Sequence, residues 1–423
     1  MTSSENTDEK TVGAWLVHHA QKLASVEGTG EFENITAAGK SIILLSSLAE
    51  SESESTLDRP KVEAVATACK ISKRFELPIL LDILQKQKLI DVGKSGGISV
   101  IGITTESALM HGAKIFQDSG PSPSESAAIE LAERSSSAPI RKSAASKLVS
   151  DTFKLTPLEA NEFLDLSSAS GLVDREGDGN DDDLFFNGNL FRRGEAGKAA
   201  LILSSLTAAE GSKVKEIEER ISKQGCAELD VVKSVLGDRL WGKLHAIGYF
   251  DLLKVENSKE SVLYVSRPAS FSKYGNSMIE DALDLAKAFS ASLAYGMTRS
   301  EYGRGKISMI NALMRKLIRK EWVGPATAIG QDYQILETRR VIELKHDSGS
   351  MYYMRLLKPE IGEIALAALT TGVASELAAT KLSGASITKF EGPEQNRFAA
   401  RKTQIKASKK ETQDILDALR TGG

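Results

Sequence analysis

The chain has 423 residues, of which 41% are apolar and 26% charged, and a formal net charge of −3. That balance suits a soluble globular protein of several domains and excludes a uniformly basic nucleic-acid coat. The two cysteines, Cys69 and Cys226, exclude a disulfide framework, and no stretch approaches the roughly 18 apolar residues that a membrane span needs.

The opening MTSSENTDEK has neither the basic region nor the apolar run of a signal peptide, so a cytoplasmic location is expected. Residues 1–36 read as an acidic tail around one helix, 12–23, whose Trp15, Leu16, His19 and Leu23 fall near helical spacing. In residues 37–118, helices are predicted over 41–49, 60–68, 77–87 and 104–116. A turn at Gly96-Gly97 precedes a strand at 98–103. Residues 121–139 are rich in Ser and Pro and predict a linker, placed with a second module in residues 119–192. That module has helices at 140–149 and 157–168 and an acidic turn at 176–183. Residues 193–272 predict helices over 196–206, 213–224 and 228–246, then a hairpin pairing 250–255 with 262–265. A linking helix over 276–294 opens residues 273–372. Helices at 306–320 and 326–338 follow, parted by Gly324-Pro325.

The clearest strand signal comes next. Ile342 and Leu344 alternate, Asp347-Ser348-Gly349-Ser350 turns the chain, and Tyr352, Met354 and Leu356 alternate again. A helix over 361–369 closes this part. Residues 373–423 are a basic tail with a short helix at 410–419. From Thr380 onward the tail holds nine Lys/Arg against five Asp/Glu.

One pattern recurs. After a helix comes a small or basic residue, two apolar residues and an acid: Lys88-Leu89-Ile90-Asp91, Gly171-Leu172-Val173-Asp174, Gly248-Tyr249-Phe250-Asp251 and Arg340-Val341-Ile342-Glu343. Successive copies start 83, 77 and 92 residues apart, and each is followed by a polar turn and a second apolar strand. The spacing suits one small domain per copy. Helices followed by a hairpin, four times over residues 39–371, resemble the winged helix-turn-helix superfamily. The resemblance implies a mainly α chain with small antiparallel β-hairpins, a tandem array of about four winged-helix modules. It also implies that the second helix of a module enters the major groove while the wing meets the backbone.

Catalytic patterns are missing from the sequence. The five histidines show no metal-ligand spacing with each other or with the cysteines. Gly93-Lys94-Ser95 and Gly194–Ala199 lack the spacing of a phosphate loop. Asp174, Glu176, Asp178 and Gly179 fit the first positions of an EF-hand loop, but its twelfth position is Phe185, which has no side-chain oxygen. No enzyme activity, metal, cofactor or small-molecule substrate is therefore expected.

Charge singles out the fourth module. From Thr298 to Lys358 there are twelve Lys/Arg against six Asp/Glu. Arg299, Arg304, Lys306, Arg315, Lys316, Arg319, Lys320, Arg339, Arg340, Lys345, Arg355 and Lys358 are candidates for phosphate. Gly303-Arg304-Gly305-Lys306 is placed at a helix N-terminus, which favours anions. Gln331, Tyr333 and Gln334 fall on the expected recognition helix, where they could meet base edges. Basic helix faces are also common as plain solvated surface. The second module carries Glu159, Glu162, Asp165 and the acidic turn, a surface that repels DNA. DNA is the expected partner, bound through module four and the tail. A protein partner or a homo-oligomer is expected through modules one and two. The rival reading is a protein-interaction scaffold in a DNA-associated or defence complex.

Overall fold

In the computed structural model, Lys88, Gly171, Gly248 and Arg340 all adopt positive φ, at 58°, 75°, 69° and 53°. These are the first residues of the four sequence repeats, and each stands just past a helix. The next N–H reaches back into that helix: Leu89 to the Leu84 carbonyl at 3.0 Å, Leu172 to Ser167 at 2.9 Å, Tyr249 to Leu244 at 3.0 Å and Val341 to Leu336 at 2.8 Å. This is the Schellman ending, which needs one left-handed residue and favours an apolar residue after it. The repeat therefore encodes a helix stop followed by a strand.

The structure describes residues 7–24, 26, 30–51, 56–93, 97–257, 260–275, 280–371 and 374–381. The expected helix at 410–419 and almost all of the basic tail lie outside them. The described residues are mainly helical, with small antiparallel sheets of two or three strands. They fall into two compact units divided between Phe186 and Asn187.

The first unit opens with α1 (Glu9–Leu23), α2 (Glu33–Glu50), α3 (Arg59–Ala68), α4 (Leu77–Lys86), β1 (Ile90–Val92), β2 (Ile98–Val100) and α5 (Thr105–Asp118). Helices α1, α2 and α5 pack on one another, burying Trp15, Leu16, Ile35, Leu44 and Leu109. The crossings are close. A Cβ on Gly13 would overlap the Leu109 carbonyl, and one on Gly39 would overlap that of Leu16. Leu57 pairs with Ile98 through two backbone bonds of 2.7 and 2.8 Å, a third strand one residue long.

Next come α6 (Pro123–Ser137), β3 (Ile140–Arg141), α7 (Lys142–Phe153), α8 (Pro157–Ala169), β4 (Asp174–Glu176) and β5 (Leu184–Phe186). The stretch expected as a linker is thus largely helix α6. Ser122 and Glu125 form a reciprocal capping box with Pro123 in the first turn. Ala127, Ala128, Leu131 and Ala132 form its buried side. Buried Glu125 also accepts the backbone N–H groups of Asn34 at 2.7 Å and Ile35 at 3.2 Å, so one carboxylate serves two helix N-termini.

The second unit contains α9 (Ala196–Ser204), α10 (Ala208–Gln224), β6 (Ala227–Glu228), α11 (Leu229–Ala246, broken at Gly237), β7 (Asp251–Glu256), β8 (Ser261–Ser266), α12 (Pro268–Ser272) and α13 (Glu280–Thr298). It continues with α14 (Ile310–Ile318), β9 (Val323–Ala326), α15 (Thr327–Asp332), α16 (Gln334–Thr338), β10 (Ile342–His346), β11 (Tyr352–Leu356), α17 (Pro359–Thr371) and α18 (Ser375–Lys381). Asn187 and Asn189 donate to the carbonyls of Lys273 at 2.8 Å and Gly275 at 2.9 Å, tying the start of this unit to its middle.

Helix, strand, helix, helix, strand, strand is the order of all four repeats, with Leu57 as the first strand of the earliest. In each three-stranded sheet the last strand lies in the middle: β3-β5-β4, β6-β8-β7 and β9-β11-β10. The first strands β3, β6 and β9 were not foreseen; two to four residues are too few to show a period. In the second unit α17 packs on α10, α13 and α14. Phe289, Leu317, Leu336, Leu356 and Ile364 share one core. Tyr264 of β8 and Tyr295 of α13 share another. The third and fourth repeats are therefore joined by buried surface.

Candidate nucleic-acid interface

The residues expected to meet nucleic acid divide by what already holds them. Arg299 makes a two-pronged contact with Glu228, at 2.9 and 2.5 Å. Arg304 is turned inward, donating to Asp332 and Gln331 at 2.9 Å each. It lies in a short 3-10 turn, Tyr302–Arg304, and the next helix starts only at Ile310. The expected anion site at a helix N-terminus over 303–306 is therefore absent. Lys306 sits 5.4 Å over the exposed Tyr302 ring, and Arg319 pairs with Glu321 at 2.8 Å. Arg355 pairs with Glu343 at 2.6 Å and stacks 4.9 Å from the Trp322 ring.

Six others, Arg315, Lys316, Lys320, Arg339, Arg340 and Lys345, are exposed and have no ion pair among the described residues. Their placement follows from local structure. Helix α14 buries Met314 and Leu317, which turns Arg315 and Lys316 to the opposite side. Lys320 ends that helix at φ 60°, with the Glu321 N–H bonded to the Lys316 carbonyl at 3.0 Å. Arg339 and Arg340 form the corresponding ending of α16. Lys345 lies opposite Tyr353 in the hairpin, on the face away from buried Ile342, Met354 and Leu356.

The base-reading trio does not survive as a group. The expected helix at 326–338 is two short helices broken at Tyr333, and Tyr333 is buried in the core. Burial pushes the Tyr333 phenol pKa up, so it stays neutral. Gln331 is half-buried and spends its carbonyl oxygen on Arg304. Gln334 remains exposed on α16, donating locally to the Gly330 carbonyl at 3.0 Å. The sequence reading missed Trp322 and Tyr353, aromatic neighbours of Arg355 and Lys345 on the sheet. Trp322 directly precedes β9, which carried no strand signal.

Comparison with protein-family models, with curated proteins and with solved structures finds no match for this chain.

Proposed function

We propose that this chain is a non-enzymatic DNA-binding protein of four tandem winged-helix modules, acting as a regulatory or architectural factor. It engages phosphate through module four, with the basic tail adding to the affinity. The observation that carries the reading is the set of six exposed cations on α14, the α16–β10 junction and β10 that have no ion pair among the described residues. The fourfold helix-strand-helix-helix-strand-strand order with a central last strand supports the modular part. Readout of bases is slight, since Gln334 alone of the three expected side chains is free to reach out. Binding is then dominated by phosphate contacts and counterion release.

Fluorescence anisotropy with a labelled duplex, across a salt series, tests this. If all six cations meet phosphate, log K falls against log salt with a slope of about −5. Replacing Arg315, Lys316 and Lys320 by Glu flattens the slope and weakens binding to every sequence alike. Replacing Gln334 by Ala leaves the slope unchanged. The variants belong in the full chain, because a cut near residue 272 would pass through one compact unit. Absence of salt-dependent binding sinks the proposal. The scaffold reading then takes its place, favoured by the acidic surface of module two.

A further inference from the structure

The first unit exposes large apolar side chains at two matching places. In module one, where the chain enters α4, Phe75 is 71% and Ile79 59% exposed. In module two, at the second position of α8, Leu158 is 69% exposed. Helices α4 and α8 are the same element of the repeated order, the helix before the hairpin. A lone exposed leucine is ordinary surface; what distinguishes these spots is the charge around them.

The two rims have opposite sign. Beside Phe75, Lys70 and Arg74 are exposed without an ion pair among the described residues, and Lys73 is 4.0 Å from Glu63. The Arg74 guanidinium stands 5.7 Å from the Phe75 ring, an Arg–aromatic pairing of the kind that anchors protein interfaces. Glu76 is turned inward to Lys40 and to the Ser72 N–H at 2.7 Å, and Asp82, one turn past Ile79, is paired to Lys86 at 2.7 Å, which leaves the outer rim with a net positive charge. Around Leu158 acids outnumber bases: Lys154, four residues before it, is exposed, and so are Glu159 and Glu162. Glu162 follows one turn later on the same helix face and is exposed with no ion pair among the described residues. Asp165 continues that face, paired to Arg175 at 2.7 Å.

We infer that two copies of the chain pair reciprocally, Phe75 and Ile79 of each copy against Leu158 of the other, with Arg74 facing Glu162. Both spots belong to one compact unit, so each copy supplies one of each. A reciprocal contact of this kind closes on a two-fold axis and stops at a dimer. Removing the apolar centres from water supplies the affinity, and the rims fix orientation and exclude wrong registers. Duplex DNA is the poorer occupant. Pro78 and Ile79 offer no group to a base edge, and the matching helix in module two is acidic.

Sedimentation velocity over a concentration series of the full chain tests the pairing. The expected result is a mass rising from 45.6 kDa towards twice that value. Arg74→Glu and Glu162→Arg each weaken association by about tenfold, and the double variant recovers to within roughly threefold of the parent. Phe75→Ser lowers association further while circular dichroism and thermal unfolding stay unchanged. Three results overturn the inference: a monomer at every concentration, a dimer indifferent to both charge reversals, or no recovery in the double variant. A monomer whose duplex binding falls with Arg74→Glu assigns the spot to nucleic acid instead and equally overturns it.

Discussion

Arg304 Nη2 lies 2.9 Å from Asp332 Oδ1, and the two side chains are 11% and 1% exposed. Asn257, from the turn after β7, donates to the same oxygen at 3.0 Å and to the Tyr295 hydroxyl at 2.8 Å. Tyr295 in turn donates to Glu260 at 2.9 Å. The hairpin of the third repeat thus grips α15 of the fourth through a polar network that runs from buried Asp332 out to exposed Glu260.

Breaking this pair is expected to cost much more than deleting it. Asp332→Ala leaves Arg304 buried without a counter-charge, a loss of about 3–5 kcal/mol in urea unfolding. The double variant Arg304→Met with Asp332→Leu should be less destabilised than Asp332→Ala alone. Because Arg304 faces inward, the double variant, which leaves no buried charge unpaired, leaves the salt dependence of the proposed DNA binding unaltered. A flattened slope would place Arg304 among the phosphate contacts after all.

The four helix endings predict substitutions of opposite sign. Lys88 holds a left-handed conformation that glycine adopts freely, and its side chain is exposed. Lys88→Gly should stabilise the chain by about 0.5 kcal/mol, the strain relieved being partly offset by backbone entropy. Gly171→Ala and Gly248→Ala should each cost about 1 kcal/mol. Thermal unfolding of the three variants is the check, and equal shifts for all three would contradict the assignment.

These endings also show what a sequence can reveal. The repeated four residues were legible because a left-handed stop and an apolar successor are chemically demanding and local. The hairpin at 342–356 was legible because alternation is equally local. Helix α6 was misread: its Ser, Ala and Pro are composition shared by linkers, and only the Ser122–Glu125 box marks its start. The candidate interface was half legible. Cations can be counted in sequence, but their partners lie far away, as with Arg299 and Glu228, 71 residues apart. The burial of Tyr333 depends on a helix break that no residue nearby announces.

His19 sets a pH dependence. It is buried on α1, with its ring 5.3 Å from Trp15. Burial lowers its pKa from 6.5 to about 3, and the charge of Lys22 acts the same way. The unfolded chain therefore takes up a proton that the folded chain refuses. The site's contribution to stability is full above pH 6.5 and is lost as pH falls from there towards 3. At pH 5 the loss is about 2 kcal/mol. Urea unfolding at pH 7 and pH 5 should show it, and His19→Met should remove that share of the difference. An unchanged difference in the variant would exclude His19 as the source.

The acidic turn of module two is expected to ignore calcium. Asp183 is committed inward, to Arg175 and to the N–H groups of Gly179 at 3.1 Å and Asn180 at 3.2 Å. Burial alone would raise its pKa, but the Arg175 bond and charge and those N–H groups outweigh it and hold the carboxyl below its usual range. Calorimetric titration should give no saturating heat at affinities tighter than about 10⁻⁵ M. Asp183→Asn should instead destabilise the turn by about 1–3 kcal/mol.

The contact of Gly13 with the Leu109 carbonyl, and of Gly39 with that of Leu16, has a consequence for genetics. Any side chain larger than a hydrogen forces three helices apart, so a mutational screen for loss of any function of this chain, the proposed DNA binding included, will recover both positions. Neither bears charge, and neither lies in the basic module. Hits there measure the distance between helices, and they should be set aside by an abundance assay before a binding surface is drawn from such a screen.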